Sequence, residues 1–333
     1  MKVTFGICPD NQWEDFRTTV TRAPLLEEAG FDALWLGDHI LPFQHSRGFN
    51  RSVVVEMAAY LQVTERVLIG GQVIAPIGLR RQPVDVALDL ATLALMHPGR
   101  VALTVGTGEA MNEKNATGRW PSIRERVDRC TEAMALIRHC WQSEDYFKFE
   151  GHFFESFFYL YTKPEPPIPM TCAANGPIMA RRAGRTADGF CAVGVTPDWF
   201  CDSLVPAFER GAREAGKDPE NMQKMIWIPT TYHPDPEQAL AAARLEAGVL
   251  VPGVLDNVLD PREMEELGKT IDEERIRQAS CVATRAEEIV DSFARFVEAG
   301  ATHIIWGDLS PDASLIPSLA KDEVLPALRE RWN

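Results

Sequence analysis

Short apolar runs alternate with amphipathic stretches along most of this chain. The runs are four to seven residues long, as buried strands are, and the stretches between them repeat their apolar residues with a helical period. The predicted strands are residues 3–8, 33–36, 67–73, 101–105, 170–174, 189–193, 225–230 and 303–306. The predicted helices are residues 13–29, 53–62, 86–96, 122–141, 179–186, 199–215, 236–247, 287–299 and 315–331, and a long loop is expected between 105 and 122.

This alternation predicts about eight strand-helix units in series, which is the plan of a (β/α)8 TIM barrel. In such a barrel the chemistry lies at the carboxyl ends of the strands. Periodicity alone does not close a barrel, so a doubly wound open sheet is the alternative. No Gly-x-Gly-x-x-Gly follows the first strand, and there is no Walker loop, so a nicotinamide dinucleotide bound as in open sheets is not expected.

Two segments interrupt the alternation. Residues 143–165 place aromatic residues on alternating positions around Glu150-Gly151, which predicts a β-hairpin. Residues 250–278 are irregular and acidic and contain short helical stretches. We interpret both as insertions, the hairpin as a lid or an edge, within a single domain that spans residues 1–333.

Composition narrows the class of partner. The formal net charge of −14, from 34 basic and 48 acidic residues, argues against nucleic acid or an anionic membrane. No apolar stretch is long enough to cross a membrane. The seven cysteines contain no Cys-x-x-Cys pair, which is typical of reduced thiols in a cytoplasmic protein. No closely spaced Cys/His set is present, so no metal site is expected.

Candidate chemistry lies just past the predicted strands. Asp38-His39 places a carboxylate beside an imidazole, and an imidazole there suits acid/base work near neutral pH. The turn after residues 101–105 carries Glu109, which supplies an acid or a base, or else stabilises the start of a helix. Asn175 begins a strand-to-helix turn whose backbone N–H groups could bind a phosphate. The same sequence is also typical of an ordinary helix start with proline just inside the helix. The remaining histidines, among them His303, are interpreted as structural.

Five stretches together resemble the deazaflavin-dependent branch of the luciferase-like superfamily, whose members use coenzyme F420. They are GDHILPF at 37–43, IGGQVIAP at 69–76, HPGRVALTVGTGEAMNE at 97–113, ANGPIMARRAG at 174–184 and GAREAGKDPENM at 211–222. The resemblance extends over nearly the whole chain, with the five stretches in the same order as in the family. Within the branch, the resemblance is closest to F420-dependent secondary-alcohol dehydrogenases, followed by F420-dependent glucose-6-phosphate dehydrogenases.

The resemblance implies a role for each matching residue. His39 is expected to take the proton of a substrate hydroxyl while a hydride passes from the alcohol carbon to C5 of F420, with Glu109 near ring N1. Gln72-Val73 is expected in a bulged strand behind the ring, where the family has a non-proline cis peptide. The full set of expected cofactor residues is Asp38, Gln72, Val73, Ala75, Thr107, Gly108, Asn112, Asn175, Gly176, Pro177, Ile178 and Met179. The expected substrate pocket is Phe43, Glu56, Val193 and Trp227.

Departures from the family bear on the substrate, which we expect to be a secondary alcohol or its ketone. Phe43 replaces a tryptophan, and Glu56 is either a polar group for the substrate or a solvated helix residue. The cationic phosphate ligands of the sugar-phosphate enzymes fall on Thr196, Glu266 and Ala279, which disfavours glucose 6-phosphate.

Three alternatives to an F420-dependent alcohol dehydrogenase remain open, and the family also implies an oligomeric state. The first alternative is an F420-dependent sugar-phosphate dehydrogenase or a reductase of another substrate. The second is an FMN-dependent luciferase-like monooxygenase. The third is a barrel that binds a ligand without catalysis. The family further implies a homodimer.

Overall fold

The computed structural model describes residues 2–9, 14–46 and 48–332. Within these residues, eight parallel strands pair in a closed ring, so the (β/α)8 TIM barrel is confirmed and the open sheet is wrong. The barrel strands are β1 (Thr4–Cys8), β2 (Ala33–Leu36), β3 (Leu68–Ile74), β4 (Val101–Val105), β7 (Met170–Ala173), β8 (Gly189–Val193), β9 (Gln223–Tyr232) and β11 (His303–Asp308). They pair in chain order, and β11 returns to β1 with Ile7 opposite Trp306.

Helices cover the outside of the barrel. They are α1 (Phe16–Ala29), α2 (Val53–Val63), α3 (Pro83–Met96), α4 (Ala110–Thr117), α5 (Ile123–Gln142), α6 (Pro177–Thr186), α7 (Pro197–Trp199), α8 (Val205–Glu214), α9 (Pro236–Leu245), α10 (Val254–Asn257), α11 (Pro261–Gly268), α12 (Glu273–Ala279), α13 (Ala286–Glu298), α14 (Ile316–Leu319) and α15 (Leu325–Trp332). The predicted start of the first helix, at Trp13, lies outside the described residues. Among the described residues, no helix has the length and apolar character that a membrane span needs.

Two elements differ from the prediction. The expected long loop after β4 contains α4, and a short strand, β10 (Cys281–Ala283), pairs with the end of β9. Helix α4 was missed because its sequence, AMNEKNAT, has no apolar stripe and therefore lacks the periodic signal. Its end is nevertheless readable, since Gly118 takes the left-handed conformation that favours glycine.

Bulky aromatic side chains fill part of the barrel interior because glycines in neighbouring strands make room for them. A Cβ at Gly70 would lie 2.3 Å from the ring of Trp35, and one at Gly307 would lie 2.3 Å from the ring of Trp227. The Trp35 indole donates to His303 Nε2 at 2.9 Å, and Thr4 Oγ1 lies 2.7 Å from His303 Nδ1. Burial lowers the pKa of His303 to about 3, so the ring stays neutral and structural, as predicted.

The two irregular segments occupy different places. The hairpin is confirmed, with β5 (Phe147–Glu150) antiparallel to β6 (Glu155–Phe158). It packs at the outer edge of the barrel against α5, where the Glu132 carboxylate accepts backbone N–H groups of the hairpin loop at 2.8–2.9 Å. The segment 250–278 contains α10, α11 and all but the last residue of α12, and it packs at the mouth of the barrel, against the loop after β2.

Candidate active site

The carboxyl ends of the strands gather the predicted chemistry at one rim of the barrel. Asp38 and His39 follow β2, Gln72 and Val73 lie at the end of β3, and Glu109 follows β4. Parallel strands in a closed ring force this convergence, because every strand ends on the same side. The rim is therefore where a ligand can meet all of these side chains.

A hydrogen-bonded triad forms the centre of the site. His39 Nδ1 lies 3.6 Å from Glu109 Oε2, and Asn112 Nδ2 lies 3.0 Å from His39 Nδ1 and 3.2 Å from Glu109 Oε2. The His39 and Glu109 side chains are 16% and 25% exposed, so both are partly sheltered and still reachable from the mouth. The arrangement can hold or move a proton beside a bound molecule.

Glu109 is the N-cap residue of α4, yet its carboxylate does not cap the helix. A capping side chain would accept a hydrogen bond from an N–H of the first turn, and Glu109 instead reaches Asn112 Nδ2. A stabilising effect of Glu109 on the start of α4 would therefore come from its charge at the helix N-terminus and not from a capping hydrogen bond. The side chain faces His39, as a catalytic role requires.

Asp38 is locked between two arginines. Its carboxylate accepts hydrogen bonds from Arg80 Nη2 at 2.6 Å and from Arg81 Nε and Nη2 at 2.7 Å, and its side chain is 1% exposed. Burial alone would raise the pKa of Asp38, but hydrogen bonds from Arg81 and Arg80 outweigh it and hold the pKa below its ordinary value. Arg80 also reaches Glu113 at 3.3 Å, where burial raises the pKa of the Glu113 carboxyl.

The end of β3 has the expected irregular backbone. The Gln72-Val73 peptide is cis and the register shifts between Gly71 and Ile74, which confirms the bulge and the non-proline cis bond. A Cβ at Gly106 would lie 2.3 Å from Val73 Cγ1, so the glycine after β4 lets the bulge pack closely. Gln72 Nε2 contacts Cys191 Sγ at 3.4 Å, while its buried Oε1 has no hydrogen-bond partner among the described residues.

The remaining expected ring contacts lie beside the bulge. Thr107 is half-buried and Ala75 is buried. Gly108 has a φ of +73°, and a Cβ there would lie 3.4 Å from Ala75 and 2.7 Å from Glu113. Glycine is therefore required at this turn both by its conformation and by its neighbours.

The turn 174–177 leads into α6. The Asn175 side chain bridges to the next strand, since its Nδ2 donates to Val193 O and its Oδ1 accepts from Val193 N, both at 2.9 Å. Gly176 is the N-cap of α6, and space is open within 4 Å of where its Cβ would be. A cavity of about 440 Å³ continues from Pro177 and Ile178 along the outer faces of α6 and α8, lined by Arg181, Arg182, Arg185 and Arg210.

The expected pocket residues lie in three places. The Phe43 ring packs edge-on against the ring of His39, with centroids 4.8 Å apart. Val193 and Trp227 are half-buried and pack with the apolar cluster inside the barrel. Glu56 is fully buried and pairs with Arg51 Nε at 3.0 Å, so the interpretation as a solvated helix residue is wrong.

The irregular segment 250–278 forms an apolar cover beside His39. Phe43 packs against Val254, Val258 and Met264 of this segment. Glu265 accepts backbone N–H groups of the loop after β2 at 2.9 Å, which holds the cover to that loop. The Phe43 ring beside the imidazole is thus backed by apolar side chains.

Sequence reasoning missed Arg80, Arg81 and Glu113. The sequence signal that could have identified them was the pair of arginines in the loop after β3, one strand away from Asp38.

Among the described residues, no group of three or more His, Cys, Asp and Glu side chains is arranged to hold a metal ion. All seven cysteines are free thiols, and six of them are buried.

Comparison with known proteins adds three findings. The sequence model of the luciferase-like monooxygenase family matches residues 4–303. The F420-dependent glucose-6-phosphate dehydrogenase of Microbacterium testaceum is 35% identical over 311 residues, 92% of each chain, and that of Kribbella flavida is 36% identical over 94% of this chain and 95% of its own. A solved F420-dependent secondary alcohol dehydrogenase, in complex with an F420-acetone adduct, superposes with a TM-score of 0.95 at 36% identity, covering 98% of this chain and 99% of that one.

Proposed function

This chain belongs to the luciferase-like monooxygenase family, and we propose that it works in the cytoplasm as an F420-dependent dehydrogenase of secondary alcohols and ketones. The observation that carries the proposal is the His39–Glu109 pair, 3.6 Å apart at the carboxyl ends of β2 and β4. The F420-dependent relatives support the cofactor, and the free thiols support a reducing compartment.

The residues present fit a deazaflavin. The buried Gln72 Oε1 can accept a hydrogen bond from a ring N–H, and no other partner for it exists among the described residues. The open space above Gly176, at the N-terminus of α6, leaves room for a phosphate on first-turn N–H groups, which have no partner within a helix. The remaining residues proposed to hold the cofactor are Asp38, Val73, Ala75, Thr107, Gly108, Asn112, Asn175, Pro177, Ile178 and Met179. Asp38 and Asn112 would do so by packing, because their side-chain hydrogen bonds are made within the protein. When bound, coenzyme F420 supplies a carbon that accepts or returns a hydride.

The protein's own part is to move a proton and to orient the substrate. His39 Nε2 has no hydrogen-bond partner among the described residues and lies on the side of the ring away from Asn112, where it can exchange a proton with the substrate oxygen. Glu109 provides a second protonatable group beside it. The apolar cover from the segment 250–278 limits water near the imidazole, which strengthens each polar contact made there.

Two observations favour a small alcohol over a sugar phosphate. The apolar contacts of Phe43 suit a short carbon skeleton. The positions aligned with the phosphate ligands offer no free cation, because Thr196 caps α7, Ala279 is apolar, and Glu266 carries a negative charge paired with Lys269 at 2.6 Å. The glucose-6-phosphate dehydrogenases among the relatives keep a sugar phosphate as the second candidate.

A substrate screen tests the proposal. Purified protein with oxidised F420 should bleach the deazaflavin absorbance with short secondary alcohols, and not with glucose 6-phosphate. Primary alcohols of the same length serve as the matched control. Turnover of the sugar phosphate alone would overturn our interpretation of Thr196, Glu266 and Ala279. Oxygen consumption with reduced FMN, and no reaction with F420, would overturn the cofactor.

We further infer a homodimer built on the neighbouring helices α2 and α3. These helices expose Val55, Leu88, Leu95 and Met96 by 43–61%, and a second copy of the chain would cover them. Leu95→Glu should shift the mass measured by light scattering from dimer towards monomer. Phe157→Glu, at a 74% exposed position on the hairpin, should leave the mass unchanged. A monomeric wild-type protein at micromolar concentration would contradict the inference.

A further inference from the structure

We propose that Asn112 is a positioning residue that selects the tautomer of His39. It places the single proton of the neutral imidazole on Nε2, so that His39 faces the substrate oxygen as a hydrogen-bond donor. The consequence for the substrate rests on the proposed function, whereas the choice of tautomer depends on the protein alone.

The orientation of the Asn112 amide is fixed by the backbone. Its Oδ1 accepts hydrogen bonds from Ile40 N at 2.8 Å and from Leu41 N at 3.2 Å. Two N–H donors require an oxygen between them, so the amide cannot be turned to put nitrogen there. The side chain is buried at 3% exposure, which leaves little room for another rotamer.

The fixed amide presents its nitrogen to both catalytic candidates. Asn112 Nδ2 lies 3.0 Å from His39 Nδ1 and 3.2 Å from Glu109 Oε2, so each of its hydrogens has one acceptor. An amide nitrogen does not accept hydrogen bonds, and His39 Nδ1 must therefore offer a lone pair. The proton of the neutral ring is then on Nε2.

Glu109 competes for the same ring nitrogen with the opposite preference. A carboxylate would accept a hydrogen bond from a protonated Nδ1 and so leave Nε2 without a proton, free to act as a base. The separation of His39 Nδ1 and Glu109 Oε2 is 3.6 Å, too long for a hydrogen bond, while the Asn112 contact is at normal length. The geometry thus favours the form set by Asn112.

The two tautomers of His39 suit different substrates: one suits the ketone and the other suits the alcohol. With a proton on Nε2, the neutral ring donates to a ketone oxygen. Oxidation of an alcohol requires a free Nε2: the hydroxyl O–H bond breaks, its proton forms an N–H bond at Nε2, and the carbon gives its hydride to F420 as the C=O bond forms. The second form needs the Nδ1 proton to point at Glu109 and the Asn112 contact to be released. Asn112 therefore favours the ketone-binding form.

The test compares Asn112→Asp with Asn115→Asp. The first variant keeps an acceptor for Ile40 N and Leu41 N but turns the group facing Nδ1 into an acceptor. The second makes the same charge change one turn along α4, at an exposed side chain that bonds Leu259 O and not His39. ¹⁵N-histidine NMR of the full chain, with the His39 signal assigned by its loss in His39→Gln, reports which ring nitrogen carries the proton.

We expect the neutral His39 ring to be protonated on Nε2 in the wild type and in Asn115→Asp, and on Nδ1 in Asn112→Asp. In F420-loaded enzyme, inhibition by acetone should weaken about tenfold in Asn112→Asp, from the loss of one hydrogen bond. A wild-type ring protonated on Nδ1 overturns the inference whatever the substrate is, even if the variant does not fold. An Nε2-protonated ring in a protein that neither oxidises secondary alcohols with oxidised F420 nor reduces ketones with reduced F420 supports the inference and overturns the proposed function.

Discussion

Replacement of His39 by alanine should lower turnover of the alcohol by about 10²–10⁴-fold, the range typical of a lost acid/base group. The reason is the position of the ring: its Nδ1 is held by Asn112 at 3.0 Å, and its other nitrogen is left for the substrate oxygen. His39 packs against the ring of Phe43 and is not among the residues proposed to hold the cofactor, so removing the imidazole should leave F420 affinity nearly unchanged.

Initial rates with F420 and a secondary alcohol, together with a fluorescence titration of F420, separate these effects. His45→Ala is the matched control, because it removes an exposed imidazole from the same loop. It should keep both turnover and cofactor affinity. Unchanged turnover in His39→Ala would show that His39 is not the proton carrier. A parallel loss of F420 binding would assign it to the cofactor site instead.

Replacement of Asp38 by alanine should lower the free energy of unfolding by about 3–5 kcal/mol, the cost typical of breaking a buried ion pair by removing one partner. The carboxylate is 1% exposed and neutralises Arg80 and Arg81, which are 13% and 18% exposed. Without it, two sheltered guanidinium groups would lie together with Glu113 as their remaining partner. Chemical denaturation of the purified protein measures the loss.

Glu266→Ala supplies the comparison, since its ion pair with Lys269 is 60–71% exposed and should contribute little that can be measured. A loss of similar size in both variants would contradict the assignment of Asp38 as a buried anchor. A fully stable Asp38→Ala protein that fails to bind F420 would leave Asp38 only its proposed role in holding the cofactor.

The same ion pair predicts the pH dependence of stability. The folded state holds the pKa of Asp38 below its ordinary value, so the stabilisation is present above the unfolded pKa of about 4 and is lost as the pH falls through the lower folded pKa. Wild-type stability should therefore fall on acidification below about pH 4. Asp38→Ala should show a shallower fall in that range.

Local sequence signals were sufficient for the barrel and for the centre of its site. Alternating strand and helix periods predicted the eight barrel strands, and three of them, β2, β4 and β8, have the predicted bounds. Asp38, His39 and Glu109 were identifiable because residues at the carboxyl ends of parallel strands must share one rim. The hairpin was equally clear, since its alternating aromatics need no distant partner to be recognised.

The tertiary structure alone decided what each side chain contacts. Arg80 and Arg81 neutralise Asp38 across more than 40 positions of sequence, and Glu56 is buried beside Arg51 although its helix offered a solvated interpretation. Asn112 bonds the backbone of the β2 loop 71–72 positions away. Sequence periodicity records which face of an element is apolar, whereas a hydrogen bond between distant elements depends on how the closed ring brings their ends together. The proton on His39 is therefore a property of the assembled barrel.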